Sequence, residues 1–287
     1  MSGTDPGFCL RQAANHLHQG KVIAFPTDTV YGLAVALNSL NAEERIYSLK
    51  HRDKGKSLVI YVNTLEDIEN LSGYPLSSQA IRLAQEFLPG PLTLLVDHKN
   101  SRFFQAKLGF RILSLPIIER LIDLSGPLLG TSANISNFPP AVVSDEVIED
   151  FPNEDIFVIP GQCSHGLEST VISTEPLKIY REGIISHQAI EEIMGEKVEP
   201  CLAHHTFSQH VKIYTVRDDK ILREFLQLHP DFQGVICEDP RPFNFYPTLR
   251  KALRSSEPIA VFVYNQQTSS YPELMSYLAP YTYIPTR

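Results

Sequence analysis

"SSQAIRLAQEFLPGPLTLLV", residues 77–96, decides the fold class. Its first part reads as a capped amphipathic helix, and Pro89-Gly90-Pro91 stops it. The chain reopens at once as "LTLLV", a short apolar strand. The same handover recurs on both sides. Upstream stand the strand "SLVIYV" (57–62), the helix "AEERIYSLK" (42–50) and the strand "VIAFP" (22–26). Asn41 and Glu44 have the form of that helix's N-terminus. Before them, Leu10, Ala13, Ala14 and Leu17 recur at helical spacing and Gly20 ends the run. Downstream, "STVIS" and "LKIYR" within 169–181 read as strands and "SHQAIEEIMG" (186–195) as a helix. Strands alternating with helices predict an α/β sheet with helices packed on it.

The pattern breaks after Gly195. Residues 196–210, "EKVEPCLAHHTFSQH", follow neither period and read as a linker. From 211 the alternation restarts with "VKIYTV", "GVICED", "IAVFVY" and "YTYIP", separated by segments such as "DDKILREFLQLH". The expected organisation is therefore a domain over 1–195, a linker over 196–210 and a small α/β domain over 211–287.

Composition narrows the function. A chain of 287 residues with 43% hydrophobic and 20% charged side chains is ordinary globular protein of one or two domains. No apolar run approaches the ~20 residues that span a bilayer, and "MSGTDPGFC" has no signal-peptide form, so a soluble, cytoplasmic protein without a membrane partner is expected. Cys9, Cys163, Cys201 and Cys237 lie far apart and read as reduced thiols, with no metal-binding spacing. The net charge of -8 is uneven: residues 140–210 hold 3 basic against 13 acidic side chains, whereas 1–139 hold 13 against 12. That balance disfavours a protein that coats nucleic acid.

Several loops carry candidate chemistry. "FPTDTVYGLA" (25–34) breaks a strand at Pro26 and reopens at Gly32, which leaves Thr27, Asp28, Thr29 and Tyr31 able to face a ligand. "KHRDKGKS" (50–57) imitates the end of a phosphate loop, but Lys50 stands where the motif needs Gly. Its cations suit either a nucleotide's phosphates or a solvated turn. "LLGTSANISNFPP" (128–140) offers hydroxyls, an amide and backbone N–H groups to a phosphate or ribose, or forms a simple turn. Ser169 and Thr170 open one strand, Arg181 closes another, and Arg111 is an isolated cation in an apolar stretch, a carboxylate clamp or a paired structural residue. There is no G-x-S-x-G, H-E-x-x-H or G-x-G-x-x-G. The inventory suits chemistry done by holding charged small molecules in line.

Taken in order, "PTDTVYGL", "KHRDKGKSLVIYV", "LPGPLTLL", "TSANIS", "STVIS" and "YREG" resemble the YrdC-type threonylcarbamoyl-AMP synthases, over about residues 8–195. The segment after the linker is similar to the two-domain form of that family. The resemblance implies a YrdC-like twisted open mixed sheet with flanking helices, plus a smaller C-terminal Rossmann-like α/β domain. It implies a nucleotidyltransferase that makes threonylcarbamoyl-AMP and pyrophosphate from L-threonine, bicarbonate or CO2, and ATP with Mg2+. The product would pass to a tRNA threonylcarbamoyl transferase complex. By the same resemblance, Lys50, Arg52 and Lys56 carry the catalysis. Thr29, Tyr61, Arg111, Gly130 and Ser169 bind L-threonine, and Arg52, Lys56, Lys107, Ser132, Asn134, Arg181 and His205 bind ATP, with His204 or His205 closing over it. The sequence departs from the family at Ser57 and Leu113, usually Pro, and at Tyr61 and Leu115, usually His. The alternative implied by those departures is a nucleotide- or RNA-binding protein of the same fold that no longer turns over.

Overall fold

The structure, a computed structural model, describes residues 6–54, 57–103, 105–199, 212–216, 219–232, 234–237, 241–255, 259–263 and 274. The elements run α1 (Pro6–His18), β1 (Val22–Phe25), β2 (Gly32–Ala36), α2 (Ala42–Lys50), β3 (Val59–Val62), α3 (Leu65–Ser72), α4 (Ser78–Phe87) and β4 (Leu92–Asp97). They continue with β5 (Lys107–Ile112), α5 (Pro116–Ser125), β6 (Leu128–Ser132), α6 (Ser144–Asp150), β7 (Ile156–Val158), β8 (Thr170–Thr174), β9 (Leu177–Arg181) and α7 (His187–Met194). The C-terminal segment adds β10 (Lys212–Val216), α8 (Asp219–Leu228), β11 (Val235–Cys237), α9 (Pro242–Leu253) and β12 (Ile259–Val263).

The expected α/β class is what the chain folds into. Among the described residues, nine strands form one mixed sheet in the order β7-β1-β2-β6-β3-β5-β4-β8-β9, and three parallel strands form a second, β10-β12-β11. Helix ends follow local chemistry. The Ser77 and Ser186 hydroxyls accept the N–H groups of Ala80 and Ala189 at the starts of α4 and α7, and Gly195 in the left-handed region closes α7. Thr64 and Asp67 form a reciprocal capping box on α3. Asn41 departs from its expected role: it sits at φ 58° and its side chain caps nothing. Among the described residues no helix is long and apolar enough to cross a membrane.

The large sheet has two differently used faces. Leu92, Leu94 and Ile172 turn to one side, where Leu83 and Ala84 of α4 and Ile190 and Met194 of α7 bury them. The alternate residues Val59 and Tyr61 of β3, Gly109 and Arg111 of β5, Thr93 and Leu95 of β4, and Val171 of β8 turn to the other. Register brings them side by side, with Val59 opposite Gly109, Tyr61 opposite Arg111 and Thr93 opposite Val171. They form the floor of a cavity.

Helix α9 belongs to the main core as much as to the second sheet. Phe245, Tyr246, Leu249 and Ala252 are fully buried in one cluster with Val142, Val147 and Leu167. Each large apolar side chain buried this way stabilises the packing by roughly 1.5–3 kcal/mol. The described cysteines Cys9, Cys163 and Cys237 are buried and carry thiols rather than disulfides, as expected. Cys201, with the 200–210 part of the expected linker, and the "YTYIP" segment lie outside the described residues.

Candidate active site

A cavity of about 380 Å³ opens over the middle of the large sheet. Its walls come from the β1–β2 loop, the segment after α2, the loop after β6, and the start of β8 with the end of β9. The volume lies in the range of small-molecule sites, ~300–1,000 Å³.

The first wall is the Thr27–Thr29 turn. The Thr27 hydroxyl donates to Val30 O at 2.7 Å and accepts the Thr29 N–H at 3.0 Å, which shapes a tight local turn. Thr29 Oγ1 lies 2.9 Å from Thr27 Oγ1 and accepts from Arg111 Nη1 at 2.8 Å. Arg111 Nη2 meets Asp28 Oδ1 at 2.6 Å, and Arg111 Nε donates to Gly90 O at 3.1 Å. The Arg111 and Asp28 side chains are 5% and 9% exposed, so this pair is buried. A guanidinium has five N–H donors, and three are committed here, which leaves one on each Nη for an incoming carboxylate. Tyr61 stands beside this group, and burial pushes its phenol up, with Arg111 opposing and Asp28 adding to the shift. It faces the cavity as a neutral hydroxyl.

The second wall is cationic. Arg52 reaches the cavity from the turn after α2, where its Nη2 donates to Ser57 O at 3.0 Å. No carboxylate pairs with it among the described residues, and its buried Nε has no hydrogen-bond partner. Burial holds its guanidinium below the ordinary arginine value, with nearby Arg181 adding to that shift and Tyr47 and Glu168 opposing it. Arg181 donates from Nε to Ser169 O at 3.0 Å, from Nη2 to Ser169 Oγ at 3.0 Å and from Nη1 to Glu168 Oε1 at 3.2 Å. Gly183 makes this packing possible, because a Cβ there would stand 2.2 Å from Glu168 O. The hydroxyls of Ser169 and Thr93 lie 2.9 Å apart.

The third wall is the loop after β6. Ser132, Asn134, Asn137, Phe138 and Pro140 line the cavity. Lys50 works from behind this loop. It is fully buried and donates to Ser132 O and to Asn134 Oδ1, the latter at 3.0 Å. The Ser132 hydroxyl donates to the same Asn134 oxygen at 2.7 Å, and Asn134 Nδ2 donates to Ile135 O and Phe138 O. The lysine thus braces the loop from a buried position and does not itself line the cavity.

Of the residues expected from the sequence, Thr29, Arg52, Tyr61, Arg111, Ser132, Asn134, Ser169 and Arg181 meet at this cavity. Gly130 does not line it: it pairs in β6 with Ala34 and Val59. Lys107 faces elsewhere too. It pairs with Asp97 at 2.6 Å and lines a separate cavity of about 420 Å³ with Tyr74, Ser77 and Thr174. Lys56, His204 and His205 lie outside the described residues. Sequence reasoning passed over Thr93 and Glu168. Thr93 carried a signal as the hydroxyl inside the apolar "LTLLV", and Glu168 as the acid before Ser169.

Among the described residues no three His, Cys, Asp or Glu side chains converge, and Glu168, the carboxylate lining the cavity, is engaged by Arg181. These residues fit a divalent cation that arrives on a ligand's phosphates rather than one held in a protein cage.

Comparison with known proteins places this geometry among relatives. The sequence profile named for Sua5, YciO and YrdC, described as telomere recombination, matches residues 15–183, more than half of the chain. Threonylcarbamoyl-AMP synthase of Pyrococcus abyssi is 35% identical over 203 residues, which is 67% of this chain and 59% of that protein. The Bacillus subtilis protein of the same name is 31% identical over 206 residues, 68% of this chain and 58% of its own length. The chain therefore spans less than two thirds of the length of these relatives. Among solved structures, P. abyssi Sua5 complexed with L-threonine superposes with a TM-score of 0.82 at 23% identity, over 98% of this chain and 97% of that one.

Proposed function

Since this chain belongs to the Sua5/YciO/YrdC family, we propose that it is an L-threonylcarbamoyladenylate synthase, a cytoplasmic nucleotidyltransferase. Its substrates are L-threonine, bicarbonate or CO2, and ATP, and its products are threonylcarbamoyl-AMP and pyrophosphate. The observation that carries this reading is the placing of Arg52 and Arg181 in one cavity with Arg111 and the Thr27–Thr29 turn. Arg181 shares Glu168 and Arg111 shares Asp28, while Arg52 meets no carboxylate among the described residues, and that surplus positive charge suits a polyphosphate. Arg111 keeps two N–H donors for an amino acid's carboxylate.

The chemistry asks for positioning. The threonine amine takes up carbon from bicarbonate, with loss of water, and an oxygen of the resulting carbamate attacks the α-phosphorus of ATP. The bond from that phosphorus to the bridging oxygen breaks and pyrophosphate leaves. A carbamate is a weak and reversible nucleophile, so the gain comes from holding it in line and away from bulk water. Arg111 orients threonine from the floor, and the Ser132–Asn134 loop, braced by Lys50 and by its own hydrogen bonds, forms a fixed wall beside the nucleotide. Arg52 and Arg181 offset the charge that builds on the departing phosphates. Mg2+ would enter on those phosphates and supply Lewis-acid stabilisation of the leaving group.

The name shared by the P. abyssi and B. subtilis relatives supports this reading, as does the threonine bound to the P. abyssi protein of the same fold. The product would be consumed by a transferase complex acting on tRNA. The test is mass spectrometry of the product formed from ATP, Mg2+, L-threonine and 13C-bicarbonate. One labelled carbon in an AMP conjugate of threonine is expected. AMP or ADP without a conjugate would overturn the assignment.

A further inference from the structure

Helix α9 lies in the C-terminal segment, yet two of its side chains, one turn apart, reach two walls of the cavity. Arg250 donates to Pro139 O at 2.8 Å and stacks its guanidinium 4.8 Å from the Phe138 ring centroid, in the loop whose Phe138 and Pro140 line the site. Tyr246 donates its hydroxyl to Glu168 Oε2 at 2.7 Å. Glu168 Oε1 faces Arg181, whose remaining nitrogens hold Ser169. The backbones are pressed together at the same place. Gly166 has φ +79°, and a Cβ on it would stand 2.4 Å from Phe243 Cα in the first turn of α9. Tyr246 itself is fully buried, so its hydroxyl needs the acceptor that Glu168 provides.

We propose that Tyr246 is a positioning residue of the active site: its hydroxyl fixes the Glu168 carboxylate, which in turn fixes the Arg181 guanidinium toward the nucleotide's phosphates. A carboxylate anchored at one oxygen presents the other in one orientation. The arginine fork bonded to it is then pre-organised before ATP arrives. The C-terminal segment is on this view part of the site. The inference rests on the reading that the cavity takes ATP.

The test uses the full chain and calorimetric titration with ATP and Mg2+, alongside steady-state pyrophosphate release. Tyr246→Phe keeps the ring and removes the hydroxyl. It should weaken ATP binding and raise KM for ATP by about tenfold, as expected for losing a hydrogen bond to a charged group. Leu249→Ala, in the same helix and buried without a bond to the site, should lower the melting temperature and leave ATP affinity unchanged below it. Combining Tyr246→Phe with Glu168→Gln should bind ATP no more weakly than the poorer single variant, because both break one chain of contacts. Wild-type affinity in Tyr246→Phe, equal losses in Leu249→Ala, or additive losses in the double variant would each overturn the inference alone. A wild-type chain that binds no ATP would overturn the reading of the site, and the inference with it.

Discussion

Replacing Arg111 with alanine separates two roles that one arginine can play. Its ion pair with Asp28 is 2.6 Å long, and the side chains are 5% and 9% exposed. Removing one partner of such a pair costs about 3–5 kcal/mol, because the other charge is left in a dry place. Asp28 has no fallback, since its Oδ2 already lacks a hydrogen-bond partner. Thr29 Oγ1 and Gly90 O also lose a donor, at about 1 kcal/mol each and not additively. With a urea slope of roughly 2–3 kcal/mol per M for a chain of this size, the unfolding midpoint should fall by about 1–2 M. The chain has no Trp, so unfolding is followed by tyrosine fluorescence or far-UV circular dichroism. Arg111→Ala with Asp28→Asn should recover part of the loss, because the stranded charge is gone. A midpoint shift below about 0.3 M, with only a higher threonine requirement, would refute the scaffold role and leave Arg111 as a plain carboxylate clamp.

Three further outcomes follow from the same geometry. Arg52→Ala should weaken ATP binding by about tenfold or more in calorimetry while the urea midpoint stays near wild type, since Arg52 holds no carboxylate among the described residues. Arg250→Met should cost about 3–5 kcal/mol in urea unfolding, because Arg250 meets Asp150 at 2.6 and 3.0 Å and both side chains are almost fully buried. Burial pushes the Cys163 thiol up to about 12, so thiol reagents at mildly alkaline pH should modify it in urea and spare it in the native chain. The linked sign is that stability is complete below the ordinary thiol value of 9.0 and falls as pH rises toward 12.

Local chemistry was legible where one residue type has one physical use. Ser77, Ser186 and Gly195 mark helix ends in the sequence and serve as such in the structure. The alternation of strands and helices gave the α/β class, but strand order did not follow, because pairs such as β2 with β6 join residues about a hundred positions apart. Lys50 shows the limit for a candidate site. A lysine in a basic run reads as a ligand for phosphate, but the acceptors that hold it here, Ser132 O and Asn134 Oδ1, lie more than eighty residues on and cannot be read from the run itself. Helix α9 was hidden by composition. Pro242 and Pro247 read against a helix, but Pro242 sits at its first turn and Pro247 removes only the N–H that would reach Phe243 O. Tyr246 and Arg250 carry no motif, and only the packing of that helix reveals what they touch.

Pyrophosphate release from ATP and Mg2+, with L-threonine and bicarbonate each supplied or withheld, tests the proposed activity most directly. A synthase built on this cavity releases pyrophosphate only when both are present. Release that ignores threonine, or ATP binding with no release under any combination, would contradict it and mark a protein of this fold that binds nucleotide without making the adenylate.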